Sequence, residues 1–124
     1  MSGAVYGIDG NVATLSLPSG KVITIKAKTN SPLQQRVTVT QNGQALLSFS
    51  GSGERTTIGQ KDVTVGSSQV QAIFEYQSNG QWAKSKLQSG GPYAVGKYNF
   101  IVLASESGDD KDYNDSIMEV SWNS

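Results

Sequence analysis

The 124-residue sequence contains no histidine and no cysteine. Without cysteine there are no disulfides, no thiolate catalysis and no zinc–sulfur centre. Without histidine the commonest general base and the commonest transition-metal ligand are both missing. A Ser-His-Asp hydrolase is impossible, and a Zn or Cu site is disfavoured. No apolar run approaches the roughly 20 residues of a membrane span, so no membrane insertion is expected. Charge of one sign is also lacking: ten basic and ten acidic residues cancel. No basic face is implied, and nucleic acid is not an expected partner. The stretch Met1-Ser-Gly-Ala-Val-Tyr-Gly7 has neither a basic n-region nor an apolar h-region. It does not read as a secretory signal, so the expectation is a cytoplasmic protein or one exported by a non-classical route.

What is present is β-pattern. In residues 21–29, Ile23, Ile25 and Ala27 alternate with Thr24, Lys26 and Lys28. In 35–40, Val37 and Val39 alternate with Arg36, Thr38 and Thr40. Val70, Ala72, Phe74 and Tyr76 share one face, with Ile73 on the other. Phe100, Val102 and Ala104 oppose Ile101 and Leu103, which predicts a strand buried on both sides. Asn42-Gly43 and Asn79-Gly80 supply the positive φ of tight hairpins. Pro18-Ser-Gly20, Gly51-Ser-Gly53, Gly66-Ser-Ser68 and Gly90-Gly-Pro92 mark further turns or loops. No segment sustains a 3.6-residue period. The prediction is a single all-β domain, an antiparallel β-sandwich of about eight or nine strands. Residues 1–10 are Gly-rich and read as an arm or an extra edge strand ahead of the domain proper, 11–124.

Charge is uneven in one place. Five of the ten acidic residues fall in Glu106-Ser-Gly-Asp-Asp-Lys-Asp-Tyr-Asn-Asp115. Such crowding is repulsive unless a cation sits between the carboxylates. A charge run is ordinarily a solvated turn. Here, however, Asn114-Asp115 leads straight into the apolar strand Ile117–Trp122, where an unpaired carboxylate is costly. The oxygen-only donor set suits Ca²⁺, which takes six to eight oxygen ligands. Glu106, Asp110, Asp112, Asn114 and Asp115 offer more than one ion needs, which points to two ions sharing ligands. Asp110-x-Asp112-x-Asn114 begins like an EF-hand, but the sixth position is Asp115 rather than Gly, the twelfth is Ser121 rather than Glu, and the flanks are strands.

The segment Ser105-Glu-Ser-Gly-Asp-Asp-Lys-Asp-Tyr-Asn-Asp115, followed by an apolar strand and by Trp122 near the chain end, resembles the two-calcium bacterial fucose/mannose-binding lectins of the LecB type. Leu17-Pro18, with Asn30 twelve residues after the proline, matches the family's spacing for its N-terminal ligand. The resemblance covers about residues 12–124 and is strongest in the last thirty. It implies a calcium-mediated lectin domain with two Ca²⁺ per chain and no catalytic activity. Glu106, Asp110, Asp112 and Asp115 would hold one ion. Asn30, Asp112, Asn114 and Asp115 would hold the other, together with the terminal carboxylate of Ser124 from a neighbouring subunit. Ser31, Pro32, Ser107, Gly108, Asp112 and Asp115 would contact sugar, with fucose- or mannose-containing glycans as partners and a homodimer or higher homo-oligomer as the assembly. Where the family usually has Asp after the Glu, this chain has Ser107. The small polar loop after Asn30 is Ser31-Pro32-Leu33, and the tail is one residue shorter. An adhesive or structural sandwich merely stiffened by Ca²⁺ is the competing reading. An enzyme is disfavoured because no separate acid–base carboxylate pair remains.

Overall fold

The computed structural model describes residues 4–66, 69–107 and 115–124. Nine strands run in chain order: β1 (Ala4–Asp9), β2 (Val12–Ser16), β3 (Val22–Gln41), β4 (Gln44–Thr64), β5 (Val70–Ser78), β6 (Gln81–Lys84), β7 (Lys86–Val95), β8 (Tyr98–Glu106) and β9 (Ser116–Asn123). Every pairing is antiparallel. The main path is β1-β2-β5-β3-β9-β8-β7, with β4 added to β3 and β6 to β5.

The long strand β3 organises this path. Its first half, Thr24–Thr29, pairs with β9. Its second half, Gln35–Gln41, pairs with β5. Between them lies Ser31-Pro32-Leu33, where the register against β4 shifts. Proline has no N–H for a ladder and fixes its own φ, so the chain turns from one layer to the other here. The sheet thus folds on itself into the predicted all-β sandwich, enclosing one core.

The period-2 alternation decides which side chains enter that core. Ile23, Ile25 and Ala27 of β3 are buried, as are Val37 and Val39 beyond the bend. Leu15, Val70, Phe74, Leu103, Met118, Val120 and Trp122 complete the same cluster. β8 departs from expectation. Ile101 and Leu103 are buried, but Phe100, Val102 and Ala104 are only half-buried. Among the described residues no further strand covers the reverse face of β8, so this strand is fully buried on one side only. Two expected turns are also bends within strands. Gly51-Ser-Gly53 lies inside β4, where Gly53 (φ 120°) and Arg55 (φ 52°) absorb the curvature. Gly90-Gly-Pro92 lies inside β7 at a register shift, with a cis Gly91–Pro92 peptide. Asn42 and Asn79 do adopt the positive φ of hairpin turns.

Gly59 is fixed by packing. A Cβ there would meet the Phe49 ring at 2.2 Å. At the far side, Asn11 links β2 to the β5–β6 edge: its Nδ2 donates to the Phe74 carbonyl at 2.9 Å, and the Phe74 N–H donates to the Asn11 carbonyl. Leu103→Ala removes a fully buried side chain from a close-packed interior. We expect a loss of about 2–5 kcal/mol in chemical denaturation, with the two-state transition retained.

Candidate functional site

At one end of the sandwich four segments converge: the middle of β3, the bend of β4, the end of β8 and the start of β9. Thr29 follows Ile23, Ile25 and Ala27 on the inward face of β3, and it is fully buried. A buried hydroxyl needs partners. Thr29 Oγ1 donates to the backbone carbonyl of Asp115 at 2.6 Å, across 86 residues of sequence. The Asn30 N–H donates to the same carbonyl at 3.1 Å. Asp115 N–H donates to the Ser105 carbonyl at 3.0 Å. Asp115 is therefore tied through its backbone to both β3 and β8.

Its side chain is equally constrained. Asp115 is 9% exposed. Ser107 donates to Oδ2 twice, from its N–H at 2.7 Å and from its hydroxyl at 2.8 Å. Hydrogen bonds to an ionised carboxylate are among the stronger ones and orient it. Both of these fall on one oxygen. No other described residue donates to Oδ1. Next to it, Ser105 and Ser116 share a hydroxyl–hydroxyl bond, and the Ser116 N–H donates to Ser105 Oγ at 3.1 Å. Glu106, the last residue of β8, is 2% exposed.

Asn30 is placed by the bend in β4. Between Thr29↔Thr56 and Ser31↔Gly53 the register slips, leaving one extra residue on β4. The N–H of Arg55 then donates to Asn30 Oδ1 at 3.1 Å. That bond fixes which way the amide faces and uses one of the two lone pairs of the oxygen. Beyond it, Ser31 N–H donates to Thr29 Oγ1 and Leu33 N–H to Ser31 Oγ, both at 3.1 Å. Gln35, fully buried, donates from Nε2 to the Leu33 carbonyl at 3.3 Å. Pro32 and Leu33 remain exposed.

Of the residues expected from sequence, Asn30, Ser31, Pro32, Glu106, Ser107 and Asp115 come together at this end. Gly108, Asp110, Asp112 and Asn114 lie outside the described residues. Among the described residues no three carboxylates form a cluster. Ser124 is elsewhere: β9 carries the chain eight residues away from Asp115, roughly 27 Å at strand rise. There its N–H donates to the Lys97 carbonyl at 2.9 Å and its hydroxyl accepts from Asn99 Nδ2 at 2.7 Å. Thr29, Arg55, Ser105 and Ser116 escaped the sequence reading. Thr29 carried a usable signal, being a polar residue at the next buried position of a regular alternation. Arg55 carried none, since its role arises from a register slip.

An oxygen-rich end on an antiparallel β-sandwich defines a candidate site for a cation or a polar ligand. The chain belongs to the fucose-binding lectin II (PA-IIL) family, whose model matches residues 15–124. That family binds carbohydrate and is not enzymatic. Two solved structures carry the similarity further. The Chromobacterium violaceum lectin CV2L, in complex with alpha-methyl-fucoside, is 30% identical, with a TM-score of 0.76 over 94% of this chain and 99% of that one. The Ralstonia solanacearum high-affinity mannose-binding lectin is 27% identical, with the same TM-score and coverage. The C-terminal domain of the BC2L-C lectin from Burkholderia cenocepacia, at 24% identity and a TM-score of 0.70 over 94% and 97% of the two chains, shares the fold. Comparison with curated proteins gives no match.

Replacing Thr29 by Val keeps its shape but removes the hydroxyl. The Asp115 carbonyl keeps its bond from Asn30, but the buried Ser31 N–H loses its acceptor. We expect a stability loss of about 1–3 kcal/mol, read by urea denaturation, with Thr29→Ser recovering most of it.

Proposed function

We propose that this protein is a calcium-dependent lectin for fucose- or mannose-type sugars, binding two Ca²⁺ ions per chain. The observation that carries the proposal is the fixed carboxylate of Asp115. It is buried and held by two donors on one oxygen, and no other described residue donates to its second oxygen. Its backbone is bonded to the residue that carries the Asn30 amide.

The donor set fits the metal. Two buried carboxylates, Glu106 and Asp115, stand at one end of the sheet with a carboxamide oxygen beside them. No imidazole or thiolate is available. Hard oxygen donors of this kind suit Ca²⁺ over Zn²⁺ or Cu²⁺. Burying carboxylates carries a desolvation cost that a divalent cation offsets. In this reading Asn30, Glu106, Asp110, Asp112, Asn114 and Asp115 hold the ions, with Asp112 and Asp115 serving both. When bound, Ca²⁺ supplies open coordination positions where vicinal sugar hydroxyls replace water. The protein's part is to fix those ligands and to accept hydroxyl protons on the carboxylates.

Ser107 acts here mainly by orienting Asp115, since its hydroxyl donates to that carboxylate. Its remaining lone pair can take a sugar hydroxyl. Ser31 Oγ accepts from Leu33, and among the described residues none accepts its proton, so in this reading it is offered to ligand. Pro32 offers no donor, and exposed Leu33 cannot hydrogen-bond a hydroxyl. Ligand hydroxyls are thus read mainly through the metals, with less fine discrimination than a polar loop would give. Ser124 lies too far from Asp115 of its own chain to serve the same site. It can contribute only to another copy, which makes a homodimer the expected assembly.

A glycan array with and without EDTA tests the reading. Fucose- and mannose-terminated glycans should bind in millimolar Ca²⁺ and not in EDTA, with calorimetry giving close to two ions per chain. Asp115→Ala should abolish the signal, whereas Ser107→Ala should weaken it without abolishing it. Calcium binding with no glycan retained would favour a purely structural role for the metal.

Extending the chain beyond Ser124 tests the exchange of termini. The extended protein should lose sugar affinity and show a weakened dimer by analytical ultracentrifugation. Unchanged binding and unchanged mass would remove Ser124 from the ligand set.

A further inference from the structure

On the outward face of the sandwich, three polar side chains stand in one row across three strands. Thr14 of β2 is opposite Gln71 of β5, and Gln71 is opposite Thr40 of β3. At about 4.8 Å between strands, the row spans roughly 10 Å, the length of a disaccharide. Threonine and glutamine on the wet face of a sheet are ordinary. The shape above them is not. One concavity of about 290 Å³ lies over Gln71 and Thr40 and is walled by the Asn42-Gly43 turn. A second, also about 290 Å³, is lined by Tyr6, Gly7, Ile8 and Asp9. Thr14 lines both, so they form one trough.

Gly7 opens the second half. It sits opposite Thr14, on the same face, and a Cβ there would meet nothing within 4 Å. Beside it, Tyr6 at the register slip of β1 is 64% exposed and Ile8 is 37% exposed. A Tyr this open offers an apolar ring face with a polar tip. The trough therefore combines an aromatic platform, hydroxyls that both donate and accept, carboxamides that do the same, and one carboxylate acceptor.

We propose that this trough is a second saccharide-binding site, one that works without metal. Its chemistry selects the ligand. Neither concavity is lined by Lys or Arg, which disfavours phosphate, sulfate and other anions. The backbone of β2, at the floor of the trough, is paired on both edges by β1 and β5, so it offers no free strand edge to a peptide lying there. What remains is a neutral polyhydroxy ligand, read by side chains and laid against the Tyr6 ring. Paired small cavities of this size suit a short oligosaccharide. The half built by Tyr6–Thr14 lies ahead of residues 15–124, the span matched by the family model. None of the proposed calcium ligands takes part, so the inference stands apart from the calcium reading.

The test is binding of neutral tri- to hexasaccharides of glucan, xylan and galactan series to the whole protein in EDTA, by saturation-transfer NMR and titration calorimetry. At least one series should bind. Gly7→Val, which fills the trough from an exposed strand position, and Gln71→Ala should each weaken that binding about tenfold or more, equivalent to about 1.4 kcal/mol. Both variants should keep the wild-type melting temperature and the EDTA-sensitive binding of fucose or mannose. If no series binds in EDTA, or if binding survives both substitutions, the trough is only a wet sheet face. Failure of calcium-dependent fucose or mannose binding in the same samples would bear on the other site alone.

Discussion

The carbonyl oxygen of Asp115 holds this structure's functional end together. It receives the Thr29 hydroxyl and the Asn30 N–H from β3, while the N–H of the same residue reaches Ser105 on β8. The strands β3 and β8 and the start of β9 thus meet on the backbone of one residue. The consequence is positional precision where it is needed. The Asp115 carboxylate and the Asn30 carboxamide stand on a backbone that neither strand can move alone. Ser107 then orients the carboxylate and Arg55 the carboxamide. A buried network of this kind is worth more satisfied than the sum of its bonds, and it is costly when one member is lost.

The fold was legible because burial follows a period of two. Ile23, Ile25, Ala27, Val37 and Val39 point inward as their alternation requires. The hairpins at Asn42 and Asn79 were legible because positive φ restricts the choice of residue. Legibility failed where local chemistry has two uses. Glycine and proline serve bends as well as turns, so Gly51–Gly53 and Gly90–Pro92 read as turns or loops although the strands run on through them. In β8, apolar residues on both faces suggested a second covering layer. Composition alone cannot distinguish a covered face from one that is half open.

At the site, the sequence pointed to residues but not to their relations. Glu106 and Asp115 stood out by charge, and Asn30 only through the resemblance to the lectin family, whose spacing from Pro18 it matches. That Ser107 spends its hydroxyl on Asp115 depends on how the ends of β8 and β9 meet. That Arg55 contributes its backbone rather than its guanidinium depends on a register slip in β4. Neither is encoded by residue type. Thr29 is the instructive middle case, because a polar residue in a buried phase announces an unfilled bonding requirement without naming the partner.

The course of β3 has a consequence for cooperativity. One continuous strand lies in both layers, pairing with β9 before the bend and β5 after it. Neither layer can open while the other stays intact unless this strand breaks at Ser31-Pro32-Leu33. The bend of the shared strand and the candidate site therefore coincide. Anything that bridges β3 to Asp115 acts as a rivet between the layers, so occupancy of the site and integrity of the whole sandwich are coupled through a single length of chain.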